Sequence, residues 1–142
     1  MKTIAKSALA VIVLLAMNSS SHLGAQQDGP IIDTEVKLVD FEDLIYPMVA
    51  RTAHIQGVVV VRVTLDNQGK VVDAMPISGP PVLVFEASAN AKKWRFQPNA
   101  RKAAVIVYNF RLTDAISKSG CSQFMLLPPN FATITSCVPK IQ

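Results

Sequence analysis

The sequence predicts an α+β fold of two layers: a small antiparallel sheet of three strands plus a tail hairpin, packed by two helices. Three observations carry this. From Val58 to Asp66 the chain alternates, with Val59, Val61, Val63 and Leu65 on one face and Arg62, Thr64 and Asp66 on the other. A second alternating run places Ala104, Ile106, Tyr108, Phe110 and Leu112 on one face. Between the two, Leu83, Ala87, Ala91 and Trp94 recur at helical spacing and form one apolar stripe. Strand-period and helix-period segments in one short chain give a sheet covered by helices.

The elements follow in order. Residues 26–45 form an acidic lead-in arm. Pro47 suits the first turn of a short helix running to about Ile55, because its missing N–H would find no partner there. Met48, Val49, Ala53 and Ile55 are its apolar contacts, and Gly57 ends it. The strand after Gly57 is long, β-branched and free of proline, as a central strand should be. Asp66-Asn67-Gln68-Gly69 makes a hairpin turn. The return strand, Lys70 to Ser78, contains Pro76, which cannot donate to a ladder, so this strand belongs at an edge. Gly79-Pro80-Pro81 breaks the chain and opens the second helix, with Lys92 and Lys93 at the end where the dipole favours cations. Pro98-Asn99 turns into the last strand of the domain, which spans residues 46–116. The tail, residues 117–142, holds two strand-like runs, Gln123–Leu127 and Phe131–Ser136, separated by Pro128-Pro129-Asn130.

The N-terminus and the cysteines set the compartment. Lys2 and Lys6 precede an unbroken apolar run from Ala8 to Met17. That run has half of the roughly 20 residues a bilayer requires, so residues 1–25 read as a signal peptide with cleavage after Ala25. Export places the chain in the periplasm, tethered to the inner membrane in the case that the signal stays uncleaved. Cys121 and Cys137 are the only cysteines, and an even pair in an exported chain reads as one disulfide closing the tail hairpin.

Charge is uneven. Six acids lie between Asp28 and Asp43 against the single base Lys37, whereas from Tyr46 onward 11 Lys and Arg face 4 Asp and Glu. The bases are scattered singly or in pairs, without interleaved aromatics, which argues against nucleic acid. The mature chain holds one histidine, His54, read as a helix-end residue. No Ser/His/acid spacing, phosphate loop, metal-ligand spacing or acid pair is visible. The chain therefore reads as a binding protein and not an enzyme, with no cofactor, no metal and no small-molecule substrate. Trp94 reads as core and Tyr46 as a structural anchor beside the first helix.

Four motifs in fixed order, YPMVARTAHIQG, VVVVRVTLDNQGKVV, AKKWRFQP and VIVYNF, resemble the C-terminal domain of TonB energy-transducing proteins. The resemblance covers about 67 residues, Tyr46 to Leu112. It implies a three-stranded antiparallel sheet with two helices and a non-catalytic role. It also implies capture of an extended peptide of an outer-membrane TonB-dependent receptor as an added strand, in support of energy-coupled transport. Carried over residue by residue, the partner-binding strand is Val105, Ile106, Val107, Tyr108, Asn109, Phe110 and Arg111, with Tyr108 and Arg111 tuning side-chain choice. The chain departs from the full TonB pattern in lacking a proline-rich spacer and in carrying the stapled tail. An alternative stays open: a self-contained structural or assembly module, whose tail covers that strand as a fourth one or swaps between protomers to make a homodimer.

Overall fold

The computed structural model describes residues 36–114 and 120–140; residues 1–25, expected to be a signal peptide, and the first part of the acidic arm lie outside them. The element order is β1 (Leu38–Asp40), α1 (Met48–Thr52), β2 (Gly57–Leu65), β3 (Val71–Ser78), α2 (Pro81–Ala91), β4 (Arg95–Phe96), β5 (Ala103–Thr113), β6 (Ser122–Leu127) and β7 (Phe131–Cys137). A five-stranded sheet in the order β3-β2-β5-β7-β6 forms one layer, and β1 pairs with β4 in a two-stranded ribbon. The fold is α+β, as the periodicities require.

The alternation in β2 and β5 does what it implies. Val59, Val61, Val63, Ala104, Ile106, Tyr108 and Phe110 are buried on the face that the helices cover. Leu83, Ala87, Ala91 and Trp94 meet them from α2 and its C-terminal exit. β3 is an edge strand, as Pro76 demands, and its pairing with β2 shifts register twice. At the hairpin turn, the Asp66 carboxylate accepts N–H bonds from Gln68 (2.8 Å) and Lys70 (2.9 Å). Gly69 is required there: its φ is +79°, and a Cβ would lie 1.8 Å from the Phe96 carbonyl oxygen. That close approach lets the Phe96 N–H donate to the Gly69 carbonyl at 2.8 Å, which locks the turn onto β4.

Two local expectations are corrected. Helix α1 ends at Thr52, not near Ile55, because His54 takes a φ of +56° and turns the chain before Gly57. Of α1, only Ala50 is buried; Met48, Val49 and Ala53 point to solvent, since five residues give a single turn with one inward face. Within the lead-in arm, Leu38–Asp40 form the strand β1, laid against β4.

The sheet is mixed, not purely antiparallel. The tail does form a hairpin, but its second arm sits inside its first. β7 inserts beside β5, and β6 lies outermost. Because β7 follows the reversal through β6, it runs in the same direction as β5, and the β5–β7 pair is parallel.

Candidate functional site

The strand from Val105 to Arg111 is internal. On one side β5 pairs antiparallel with β2, from Thr64↔Ala103 to Gly57↔Phe110. On the other, Val107 to Thr113 pairs in register with Phe131 to Cys137 of β7. The Val107 N–H donates to the Asn130 carbonyl (3.0 Å), and the Val138 N–H donates to the Thr113 carbonyl (3.0 Å). In a parallel ladder, bonds to one neighbour come from alternate residues, so Val107, Asn109, Arg111 and Thr113 turn their main-chain groups towards β7. These are the groups an added peptide would use. The expectation of an open edge is thus corrected for Val107, Tyr108, Asn109, Phe110 and Arg111; Val105 and Ile106 precede the span that β7 covers.

The side chains of this strand divide by face. Ile106, Tyr108 and Phe110 are buried in the core, and Arg111 is exposed. Tyr108 is wholly enclosed, so its ring packs against Trp94 (centroids 5.8 Å apart) and cannot select a partner's side chain in this conformation. Burial pushes its phenol far above the ordinary value near 10.

Asn90, which the sequence reading passes over, organises the centre of the molecule. Its Oδ1 accepts from the Trp94 indole N–H (2.8 Å) and from the Tyr108 hydroxyl (2.9 Å). Its Nδ2 donates to the carbonyls of Glu42 (2.9 Å) and Asp43 (3.4 Å). One buried amide therefore ties α2, β5 and the arm together. A signal existed: Asn90 stands four residues before Trp94, on the flank of the apolar stripe, where a polar residue needs a reason. Tyr46 is the anchor that its position suggests. Its hydroxyl donates to the Ile55 carbonyl (2.6 Å), and its ring stands edge-on to Phe110.

The tail is held by more than its ladder. Ala132, Ile134 and Ser136 are buried on the inward face of β7, and Phe124 of β6 stacks on Phe41 of the arm (5.6 Å, 20°). Cys121 and Cys137 form the disulfide that closes the hairpin's open end. Lys93 at the exit of α2 pairs with Glu42 at 2.6 Å, an exposed contact worth at most about 1 kcal/mol.

A second feature lies on the helix layer. Ile45, Met48, Val49 and Phe85 are 76, 70, 69 and 73% exposed. They border an open cleft of about 570 Å³ that Tyr46, Pro47, Arg51, Val82 and Glu86 complete. Arg51 Nε is buried there without a hydrogen-bond partner among the described residues. Among those residues no cluster of His, Cys, Asp or Glu could hold a metal ion, and no helix is long and apolar enough to cross a membrane.

The arrangement of YP-led turn, valine hairpin, Trp-ended helix and central strand has a counterpart among known proteins. A family model described as the Gram-negative bacterial TonB protein C-terminal matches residues 42–112, half of the chain. The chain belongs to the TonB C-terminal family. The matched span runs from the arm through β5 and stops at Leu112, so the tail hairpin is an addition to the TonB unit. No curated protein matches the chain. TonB C-terminal domains are non-enzymatic interaction domains of the periplasm that serve transport energy coupling.

Proposed function

We propose that this chain is a non-catalytic periplasmic TonB-type binding domain whose strand-addition site is occupied by its own tail. The observation that carries this reading is the in-register pairing of Val107–Thr113 with Phe131–Cys137. A receptor peptide adding to β5 would form the same kind of ladder that it displaces, so it gains few main-chain hydrogen bonds. It would also uncover Ala132 and Ile134. The tail is covalently present, and a tethered strand acts at an effective concentration in the mM range. A free peptide of ordinary affinity loses that competition. With β5 closed, the surface left for an outer-membrane TonB-dependent receptor is the cleft between α1 and α2. Its exposed apolar rim suits a segment with apolar side chains.

Titration of the intact oxidised chain with an extended plug peptide of a TonB-dependent receptor, followed by amide NMR, tests the reading. Shifts at Ile45, Met48, Val49 and Phe85, with the Val107, Asn109 and Arg111 amides still hydrogen-bonded to β7, are the expected result. New cross-strand contacts between the peptide and Val105–Arg111, with β7 released, would overturn it.

A further inference from the structure

We propose that the outer edge of β6 is a homotypic docking edge, through which two copies of this chain pair antiparallel into one continuous sheet. The proposal does not rest on the fate of the β5 site, because β6 lies in the tail, beyond the residues the TonB family model matches.

The hydrogen bonds of the tail show which main-chain groups β6 leaves open. Val107 and Thr113 of β5 bond to Asn130 and Val138, so alternate residues of β7 from Asn130 face β5. The remaining ones, Phe131, Thr133, Thr135 and Cys137, face β6. Consistent with this, the Cys137 N–H donates to the Cys121 carbonyl at 3.0 Å. Given the register Ser122↔Ser136 to Leu127↔Phe131, Gln123, Met125 and Leu127 turn their main-chain groups towards β7. Ser122, Phe124 and Leu126 therefore direct their N–H and C=O groups outward. Among the described residues no strand lies on that side.

The edge is also undefended. Exposed sheet edges are ordinarily blunted by charge, proline or bulges. The opposite edge, β3, has Asp73, Pro76 and two register shifts. β6 reads SQFMLL, without charge or proline, and pairs with β7 without a shift. Met125 and Leu127 are large, apolar and exposed beside it.

The occupant this edge fits is itself. The open positions are symmetric about Phe124. An antiparallel partner with Phe124 opposite its own counterpart and Ser122 opposite Leu126 gives every outward donor an acceptor. Facing residues share a face of the sheet, so Phe124 meets Phe124 on one side and Met125 meets Gln123 on the other. A neutral strand brings no like charge to its copy, although the chain as a whole carries a net charge of +4. A two-fold contact of this kind closes on itself and does not run on into a fibre.

Analytical ultracentrifugation of the oxidised full chain over a hundredfold concentration range, with amide hydrogen exchange at both ends, tests this. A concentration-dependent dimer is expected, with the Ser122, Phe124 and Leu126 amides gaining protection as it forms. Met125→Lys places a cation on both strands of the seam. Ser122→Pro removes an outward donor without touching the ladder to β7. Each is expected to raise the dimer dissociation constant about tenfold or more, with the unfolding midpoint unchanged at the lowest concentration, where the chain is monomeric. A monomer throughout the range would overturn the proposal. So would a dimer indifferent to both variants, protection appearing at β3 instead, or a monomeric chain that recruits a different protein onto β6. None of these outcomes touches the receptor titration, which reads the amides of β5.

Discussion

Asn90 shows how one residue can hold a small two-layer fold together. Its amide saturates two donors and two backbone acceptors at once, in a place closed to water. Asn90→Ala would leave the Trp94 indole N–H and the Tyr108 hydroxyl buried without partners. A loss of about 3 kcal/mol is expected, read as a lowered urea midpoint with an unchanged slope. Tyr108 adds a pH dependence. Its folded pKa is raised by burial, so the neutral phenol is favoured in the native state. Below pH 10 both states are neutral and the contribution is fully present; as pH rises past 10 the unfolded chain ionises first and stability falls. Tyr108→Phe should flatten that alkaline limb in thermal melts followed against pH. Asp66 acts in the opposite direction. Main-chain N–H groups of Lys70 and Gln68 hold its carboxyl below the ordinary carboxylate value. Its contribution is present above that value and lost as acid protonates it, so Asp66→Ala should matter least at the lowest pH.

At the scale of elements, β7 decides what β5 can do. It has no charge and no proline, and it buries Ala132, Ile134 and Ser136 on its inward face. Ile134→Ala should cost about 2–5 kcal/mol and should act locally first. Hydrogen exchange at the Val107, Asn109 and Arg111 amides would accelerate before that of β2, because those N–H groups face the tail. Reduction of Cys121–Cys137, whose partners lie 16 residues apart, removes a constraint worth about 3 kcal/mol on the chain-entropy account. The same three amides should report it. If reduction left their protection untouched, the disulfide would have no part in keeping β5 closed. Helix α1 teaches a complementary lesson. Its YPM start promises an amphipathic helix, yet a single turn can bury only Ala50, and the large side chains on either side are left to line the cleft.

On the scale of the whole molecule, the TonB unit and its tail make one sheet with two ends of different character. The β3 end is bulged and contains Pro76; the β6 end is regular and neutral. The helix layer covers one face, and its cleft leaves Ile45, Met48, Val49 and Phe85 exposed beside the covered core. Under the proposed function, closure of β5 by the tail leaves a receptor two routes: the cleft on the helix layer, or β5 after release of the tail. The receptor titration and the reduction experiment together separate these two courses.

Local pattern alone determined where β2, β3, α2 and β5 lie, which face of β2, α2 and β5 is buried, and which family the chain belongs to. Alternation and the four ordered motifs are properties of neighbouring residues, and they survive in any arrangement of the sheet. The tail hairpin and its cysteine pair were legible for the same reason. The neighbours of β5 were decided only in the tertiary structure. Whether β6 or β7 lies beside Val107–Thr113 turns on which arm better buries its inward residues against the core, and Ala132 and Ile134 do so from β7. A hint was present, since Val105 and Val107 make β5 apolar on both faces, as an interior strand is. Strand pairing joins residues far apart in sequence, however, and no local period records which edge is filled.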